Sequence, residues 1–135
     1  MSRLKDKINE IKSLLADLEE ITPNTIEEYK SNKVIKAACE RYAEKIIEGV
    51  TDLAFMAIKQ KKFEIPEDDI DAFRILFDHK IIQETLYQKL KDAKGMRNIL
   101  AHQYGEINDA IVFGSITEEL EKDVKEFLEK ISATS

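Results

Sequence analysis

Apolar residues recur every three or four positions along the first segment of the chain. They are Leu4, Ile8, Ile11, Leu15 and Leu18. This spacing places them on one side of an α-helix, so the segment is predicted to be an amphipathic helix that ends near Thr22-Pro23. The stripe is too short for a coiled coil and favours one member of a helix bundle.

A long helix is predicted to follow a short one. Thr25 and Glu28 have the spacing of a capping box, which indicates a short helical turn before Ser31-Asn32. From there a second main helix should run to about Lys61. Its wide apolar face, typical of a helix with neighbours on several sides, consists of Val34, Ile35, Ala38, Tyr42, Ile46, Val50, Leu53, Ala54 and Ile58. Its polar stripe consists of Arg41, Lys45, Glu48 and Asp52.

The segment after the long helix interrupts the pattern and then resumes it. Pro66 cannot continue a helix from upstream, and the acidic residues behind it suit a helix start, so a short helix is predicted over about Ile70–Phe77. We expect His79, in the turn that follows, to be solvated.

A fourth helix is predicted over about Ile82–Gly105, because glycine suits a C-terminal cap at positive φ.

The last helix is predicted over about Asn108–Ile131, with Asn108 as its N-terminal cap. Gly114-Ser115 indicates a kink within it, where Ser115 and Glu118 offer a further capping box. The sequence shows neither a β-hairpin signal nor a repeat. We therefore expect an all-α fold, an antiparallel bundle of four main helices with short extra helices.

Composition indicates the size and the compartment of the protein. The chain has 135 residues, of which 43% are hydrophobic, so residues 1–135 are expected to form a single domain around one core. No apolar run approaches the roughly 18 residues that span a bilayer, and the chain opens directly into amphipathic sequence. We expect a cytoplasmic protein that does not associate with membranes.

Few residues suit a metal or an extended nucleic-acid surface. Cys39 is the only cysteine and is expected to be an inert core thiol. His79 and His102 are the only histidines, so we expect neither a metal site nor a cofactor.

The 21 Lys and Arg residues against 27 Asp and Glu give a net charge of -6, which argues against indiscriminate attraction to nucleic acid. Any such role requires a local basic cleft, to which a second subunit could contribute.

Arg97 occupies an apolar position of the fourth helix. On an ideal helix it lies within about 40° of a line shared with leucines and with Tyr104. A guanidinium at the margin of a core needs an anionic partner, since an unpaired buried charge is unfavourable. Two interpretations stay open: an ion pair with Asp52 or Glu48 on the long helix, or a bound phosphate.

A second face of the same helix carries Gly95, Asn98, Ile99 and His102. Glycine within a helix costs about 1 kcal/mol relative to alanine, which is easier to explain if a second subunit approaches there. A histidine at a helix end is more often a capping group than a catalyst, although it can act as a general acid or base. Ideal helical geometry sets Arg97 and His102 about 140° apart. Their cooperation therefore requires the reach of arginine, a distorted helix end, or a two-fold dimer that places two Arg and two His in one cleft.

These residues form a recognisable motif. Arg97-Asn98 and His102-Gln103-Tyr104 resemble the R-x4-H-x-Y signature of HEPN-domain proteins of the HepT toxin family. The similarity extends to the segments ERYAEKIIEGVTDLA and AFRILFDHKII, so most of the chain fits the family pattern. The resemblance implies an all-α homodimer that acts as a metal-independent RNA endonuclease toxin. It also implies a minimal nucleotidyltransferase antitoxin, which can transfer AMP to the motif tyrosine, by position Tyr104.

The resemblance also implies roles for individual residues. Arg97 would bind the scissile phosphate and stabilise charge in the transition state, while His102 moves protons. Asn98 would orient His102 or the phosphate. In a metal-free reaction the 2′-hydroxyl of RNA is the natural nucleophile, which gives a 2′,3′-cyclic phosphate and leaves DNA uncut. Arg41 and Asp52, on the polar stripe of the long helix, are candidate cleft residues.

Two other hypotheses compete with the nuclease. The same cleft could belong to a non-catalytic module that binds a nucleotide or docks a nucleotidyltransferase partner, an alternative that the acidic surface favours slightly. It predicts nucleotide binding that depends on Arg97, without RNA turnover. A purely structural helical adaptor is the third hypothesis, and the polar motif within a packing helix counts against it.

Overall fold

The structure is a computed structural model, and it describes residues 2–102 and 108–134. Across these two ranges all of the regular elements are helical. The α-helices are α1 (Ser2–Ile21), α2 (Ile26–Ser31), α3 (Lys33–Lys61), α4 (Asp69–Asp78), α5 (Glu84–His102), α6 (Asp109–Gly114) and α7 (Glu121–Thr134). A π-helical segment, Ser115–Leu120, lies between α6 and α7. The predicted all-α bundle is confirmed, with α1, α3, α5 and the α6–α7 unit as its main members.

α1 and α3 pack against each other in opposite directions. Lys7 Nζ of α1 lies 3.7 Å from Asp52 Oδ2 of α3. At the other end of α1, Thr22 Oγ1 lies 4.0 Å from Cys39 Sγ. The two helices are therefore antiparallel. The predicted α1 stripe is buried in this contact, and each large apolar side chain contributes about 1.5–3 kcal/mol. The stripe consists of Leu4, Ile8, Ile11, Leu15 and Leu18.

α4 and α7 complete the core around α3 and α5. Phe77 of α4 stacks on Tyr87 of α5 with ring centroids 5.3 Å apart. Further along α5, Lys94 Nζ lies 2.5 Å from Asp69 Oδ2 at the start of α4, so this pair of helices is also antiparallel. Phe73 of α4 meets Phe127 of α7 edge-on at 6.4 Å. Two of these contacts, at Tyr87 and Lys94, join α5 to α4, and the third joins α4 to α7.

Polar caps begin the short helices where the sequence predicted them. The Thr25 side chain accepts a hydrogen bond of 3.2 Å from the Glu28 backbone N–H at the start of α2. The Asn108 side chain accepts one of 3.2 Å from the Ile111 backbone N–H at the start of α6. Both caps satisfy backbone donors that a helix N-terminus leaves unpaired. The predicted capping at these two positions is confirmed.

Three local predictions need correction. Val34 is 77% exposed, because it lies in the first turn of α3 and the buried face of that helix begins only at Cys39. The predicted capping box at Ser115 and Glu118 is wrong. Ser115 has helical dihedral angles (φ -62°, ψ -46°), and the chain passes from α6 directly into the π-helical segment. The predicted glycine cap at Gly105 lies outside the described residues.

His79 lies in the turn after α4, as predicted, but it is tethered there. Its Nε2 lies 2.8 Å from Glu64 Oε1. Its ring stacks on Phe63 at 3.7 Å between centroids. The side chain therefore holds the α3–α4 connection against the end of α4 rather than being simply solvated.

Cys39 is buried and unpaired within α3, as expected for a core thiol. Burial raises the pKa of this thiol, and its contact with Thr22 opposes that shift. Among the helices that the structure describes, we find none with the length and apolar character needed to cross a membrane.

Candidate active site

Arg97 lies at the margin of the α3–α5 interface. Its Nη2 donates a hydrogen bond of 2.9 Å to Glu48 Oε2 of α3. The Arg97 side chain is 23% exposed, and its Nε is buried with no hydrogen-bond partner within residues 2–102 and 108–134. The predicted ion pair with an acidic residue of the long helix is thus present, and Glu48 is the partner. Asp52 instead contacts Lys7 of α1, and its predicted place in the cleft stays a prediction.

The position of Arg97 follows from the apolar stripe of α5. Leu86, Leu90 and Leu100 are buried and fix the rotation of the helix about its axis. Arg97 lies on the same stripe between Leu90 and Leu100, so its stem points toward the core while the guanidinium reaches the surface. On α3, Glu48 stands between the buried residues Ile47 and Gly49, at the edge of the face that meets α1 and α5.

Arg41 approaches the same carboxylate from α3. Its Nη1 lies 4.0 Å from Glu48 Oε2 and 3.7 Å from Glu44 Oε2. The structure therefore brings two guanidinium groups, those of Arg41 and Arg97, to one oxygen of Glu48. Of the two candidate cleft residues on α3, Arg41 and Asp52, Arg41 is the one that contacts Glu48, the partner of Arg97.

The second predicted face of α5 is open to solvent. Asn98 and His102 are exposed, and His102 is the last residue of α5. Ile99 is 44% exposed. A Cβ added at Gly95 would have no atom within 4 Å among the residues described. The close backbone approach predicted at Gly95 is therefore not supplied by the described part of this chain.

Beside this face runs an apolar groove of about 550 Å³ between α5 and the α6–α7 unit. Gly95, Met96 and Ile99 form part of one wall. Ile111, which is 67% exposed, and Val112 belong to the opposite wall. The groove therefore places exposed apolar surface next to the motif helix.

Sequence analysis missed a row of carboxylates on α3. Glu40 and Glu44 precede Glu48 at intervals of four residues, so the three share one side of the helix. Oε2 of Glu40 is buried and lacks a hydrogen-bond partner among the described residues. Burial raises the pKa of Glu40, and nearby Lys36 opposes the shift. The spacing of four was the available signal, and it indicates an acidic row along one side of α3.

The remaining predictions at this site concern a metal and Tyr104. Within residues 2–102 and 108–134, no group of three or more His, Cys, Asp or Glu side chains is arranged to hold a metal ion. Tyr104 lies outside the described residues, so its AMPylation stays a prediction.

Comparison with known proteins identifies relatives of the chain. The family model described as ribonuclease HepT-like matches residues 11–131. An mRNA nuclease HepT of Shewanella oneidensis is 34% identical over 86 residues, which cover 64% of this chain and 64% of that protein. A putative RNase of Archaeoglobus fulgidus is 31% identical over 85 residues, or 63% of each chain. The aligned part thus spans slightly less than two thirds of the length of these curated relatives.

A solved structure extends the similarity to nearly the whole chain. It contains a tri-AMPylated HEPN toxin of Shewanella oneidensis in complex with MNT antitoxin. The two folds agree with a TM-score of 0.90 at 26% sequence identity, over 96% of this chain and 96% of that chain. The helices that carry Arg97, Glu48 and Arg41 therefore belong to a fold that this toxin shares.

Proposed function

Since the chain belongs to the ribonuclease HepT-like family, we propose that it is a metal-independent RNA endonuclease and the toxin of a toxin–antitoxin pair. The observation that carries this proposal is the placement of Arg97. Glu48 holds it at the surface margin of α5, five residues before the exposed His102 on the same helix. One helix thus offers a phosphate-binding guanidinium and a proton-transfer group. The named activities of the curated relatives, mRNA nuclease and RNase, support the same conclusion.

The proposed reaction uses the RNA itself as nucleophile. The 2′-hydroxyl attacks the adjacent phosphorus and loses its proton, while the bond from phosphorus to the 5′-oxygen breaks and that oxygen gains a proton. The products are a 2′,3′-cyclic phosphate and a 5′-hydroxyl. His102 transfers protons, Arg97 stabilises the negative charge that builds on the phosphate oxygens, and Asn98 orients His102 or the phosphate. Arg41 adds positive charge to the cleft.

We propose that the active form is a homodimer of single-domain chains, residues 1–135. The groove beside Gly95 and Ile99 supports this, because a second chain would cover the exposed apolar side chains of Ile99 and Ile111. On an ideal helix, Arg97 and His102 point about 140° apart. A two-fold dimer would overcome this separation by placing an Arg and a His from each chain in one cleft.

Neutralisation is proposed to act at the same cleft. A minimal nucleotidyltransferase antitoxin would transfer AMP from ATP to the hydroxyl of Tyr104, releasing pyrophosphate. Tyr104 follows Arg97 by seven residues in the sequence, so a nucleotide attached to its hydroxyl would be near enough for the phosphate to compete for Arg97. The solved complex of an AMPylated HEPN toxin with MNT antitoxin supports this regulation.

Two matched oligonucleotides test the proposed reaction. One is RNA, and the other carries a 2′-deoxy group at the cleavage position that the RNA reveals. We expect the unmodified dimer to cut the RNA in the presence of EDTA, to leave a 2′,3′-cyclic phosphate, and to spare the 2′-deoxy position. Cleavage of both oligonucleotides, or cleavage only after a divalent metal is added, would contradict the mechanism.

The acidic composition, with a net charge of -6, favours one alternative, a nucleotide-binding or docking module for a nucleotidyltransferase partner. Under this alternative, Arg97→Ala would abolish nucleotide binding while the wild-type dimer would leave RNA intact. AMP transfer to Tyr104 would then serve another purpose than silencing a nuclease.

A further inference from the structure

We propose that Glu48 is a positioning residue of the ribonuclease site, which orients Arg97 and Arg41 toward the same RNA phosphate. This inference rests on the proposed function. Glu48 would not touch the substrate. It would act through the two guanidinium groups that its carboxylate holds.

The geometry of one oxygen atom carries the inference. Glu48 Oε2 lies 2.9 Å from Arg97 Nη2 and 4.0 Å from Arg41 Nη1. The sum of these distances, about 7 Å, is the largest separation that the two nitrogens can have. A phosphate that accepts hydrogen bonds of about 2.8 Å on two of its oxygens can span a separation within this limit.

An oxygen acceptor that both arginines approach keeps them close together. Two guanidinium groups this close repel each other, and Glu48 Oε2 holds both in place against that repulsion. Arg41, Arg97 and Glu48 together carry one net positive charge. Glu44, at 3.7 Å from Arg41, offsets that charge and limits the movement of Arg41.

Stability alone does not explain the Glu48–Arg97 pair. The Glu48 side chain is 39% exposed and the Arg97 side chain 23%, and ion pairs this accessible contribute little to folding. The pair does fix the orientation of a long side chain whose Nε is already buried. A fixed guanidinium is what a transition state with growing negative charge requires.

The experiment compares three substitutions at Glu48. Glu48→Ala removes the carboxylate, Glu48→Asp keeps the charge but withdraws it by one methylene, and Glu48→Gln keeps an oxygen acceptor in place without the charge. We expect kcat for RNA cleavage to fall roughly tenfold or more in Glu48→Ala and Glu48→Asp, because small misplacements of a catalytic group are costly. In Glu48→Gln we expect kcat within about threefold of wild type, since the amide oxygen still accepts from Arg97. KM should change less than kcat in all three.

Asp69 provides a matched control. It is 38% exposed, close to the 39% of Glu48, and it pairs with Lys94 one helical turn before Arg97 on α5. Asp69→Ala thus breaks an ion pair to the same helix without touching either arginine, and we expect wild-type kcat and KM. Thermal unfolding of each variant reports whether it is folded. If Glu48→Ala does not fold, the order of Glu48→Gln above Glu48→Asp still decides the proposal.

Two results would overturn the positioning role. If Glu48→Ala cleaves RNA faster than wild type, Glu48 competes with phosphate for Arg97. If all three Glu48 variants match Asp69→Ala, the pair has no part in the reaction. A larger loss in Glu48→Gln than in Glu48→Asp would also contradict it, since charge rather than geometry would then matter.

A binding measurement separates this inference from the proposed function. A 2′-deoxy oligonucleotide that cannot be cut is titrated into wild type, Arg97→Ala, Glu48→Ala and the double variant. We expect Arg97→Ala to weaken binding about tenfold in the wild-type background and clearly less when Glu48 is already absent. If wild type cuts no RNA, the nuclease proposal fails while this cycle still tests Glu48. Equal effects of Arg97→Ala in the two backgrounds would overturn the inference.

Discussion

Substituting Gly49 by alanine tests how tightly α1 packs on the helix that carries Glu48. A Cβ at Gly49 would lie 2.9 Å from Cγ1 and 3.4 Å from Cδ1 of Ile11. Ile11 is 0% exposed, and its nearest atom belongs to the stiff, branched part of the side chain, so it has little room to move. Gly49→Ala therefore forces an overpacked contact between α1 and α3.

The expected magnitude is the balance of two opposing effects. Overpacking a dense core costs about 1–3 kcal/mol. Replacing glycine by alanine within a helix contributes about 1 kcal/mol in the other direction. We expect the free energy of unfolding to fall by about 1 kcal/mol, and Tm to fall by roughly 3–5 °C for a chain of this size.

Equilibrium unfolding in urea measures this difference, and Gly114→Ala is the matched control. Gly114 also has helical dihedral angles (φ -61°, ψ -42°), but a Cβ there has no atom within 4 Å in the described part of the chain. Gly114→Ala should therefore stabilise the protein by up to about 1 kcal/mol. If Gly49→Ala is as stable as Gly114→Ala, the close packing of Ile11 on α3 is refuted.

Three further predictions concern buried polar groups. Burial raises the pKa of Glu40 above its value in the unfolded chain, so its charged form destabilises the fold at neutral pH, and that cost disappears as the pH falls through the folded-state pKa. Glu40→Gln should therefore raise the free energy of unfolding at pH 7 by up to about 1 kcal/mol, and this gain should shrink in acid. Urea unfolding at several pH values measures it. A gain that does not change with pH would contradict the prediction. The Tyr29 hydroxyl is buried without a hydrogen-bond partner in the ranges described. Tyr29→Phe should therefore change the free energy of unfolding by less than about 1 kcal/mol. A larger loss of stability in urea unfolding would reveal a hydrogen-bond partner. The buried thiol of Cys39, whose pKa burial raises, should react with a thiol reagent only after unfolding, and rapid labelling of the native protein would contradict its place in the core.

The sequence predicted the main helices well, because burial depends on helical periodicity that can be counted along the chain. The α1 stripe and the caps at Thr25 and Asn108 are local patterns, and each is confirmed. The π-helical segment Ser115–Leu120 was not predictable in this way. Whether a helix shifts to the wider hydrogen-bonding pattern depends on how its neighbours pack, and Ser115 with Glu118 looks like a cap in the sequence alone.

The candidate site was predicted in part for the same reason. The position of Arg97 on an apolar stripe required an anionic partner, and α3 carries one. The choice between Glu48 and Asp52, one helical turn apart, depends on how far α3 slides along α5, which no local pattern encodes. The contact of Arg41 with Glu48, within α3, depends on the side-chain conformations of both residues, which the sequence does not show.

We propose that His102 and Arg97 cut RNA without a metal, and the His102→Ala variant tests this proposal. Purified wild type and His102→Ala, both shown by intact mass to carry unmodified Tyr104, are incubated with total RNA in EDTA. We expect cleavage by the wild type and none by His102→Ala. Cleavage by His102→Ala, or intact RNA with the unmodified wild-type dimer, would contradict it.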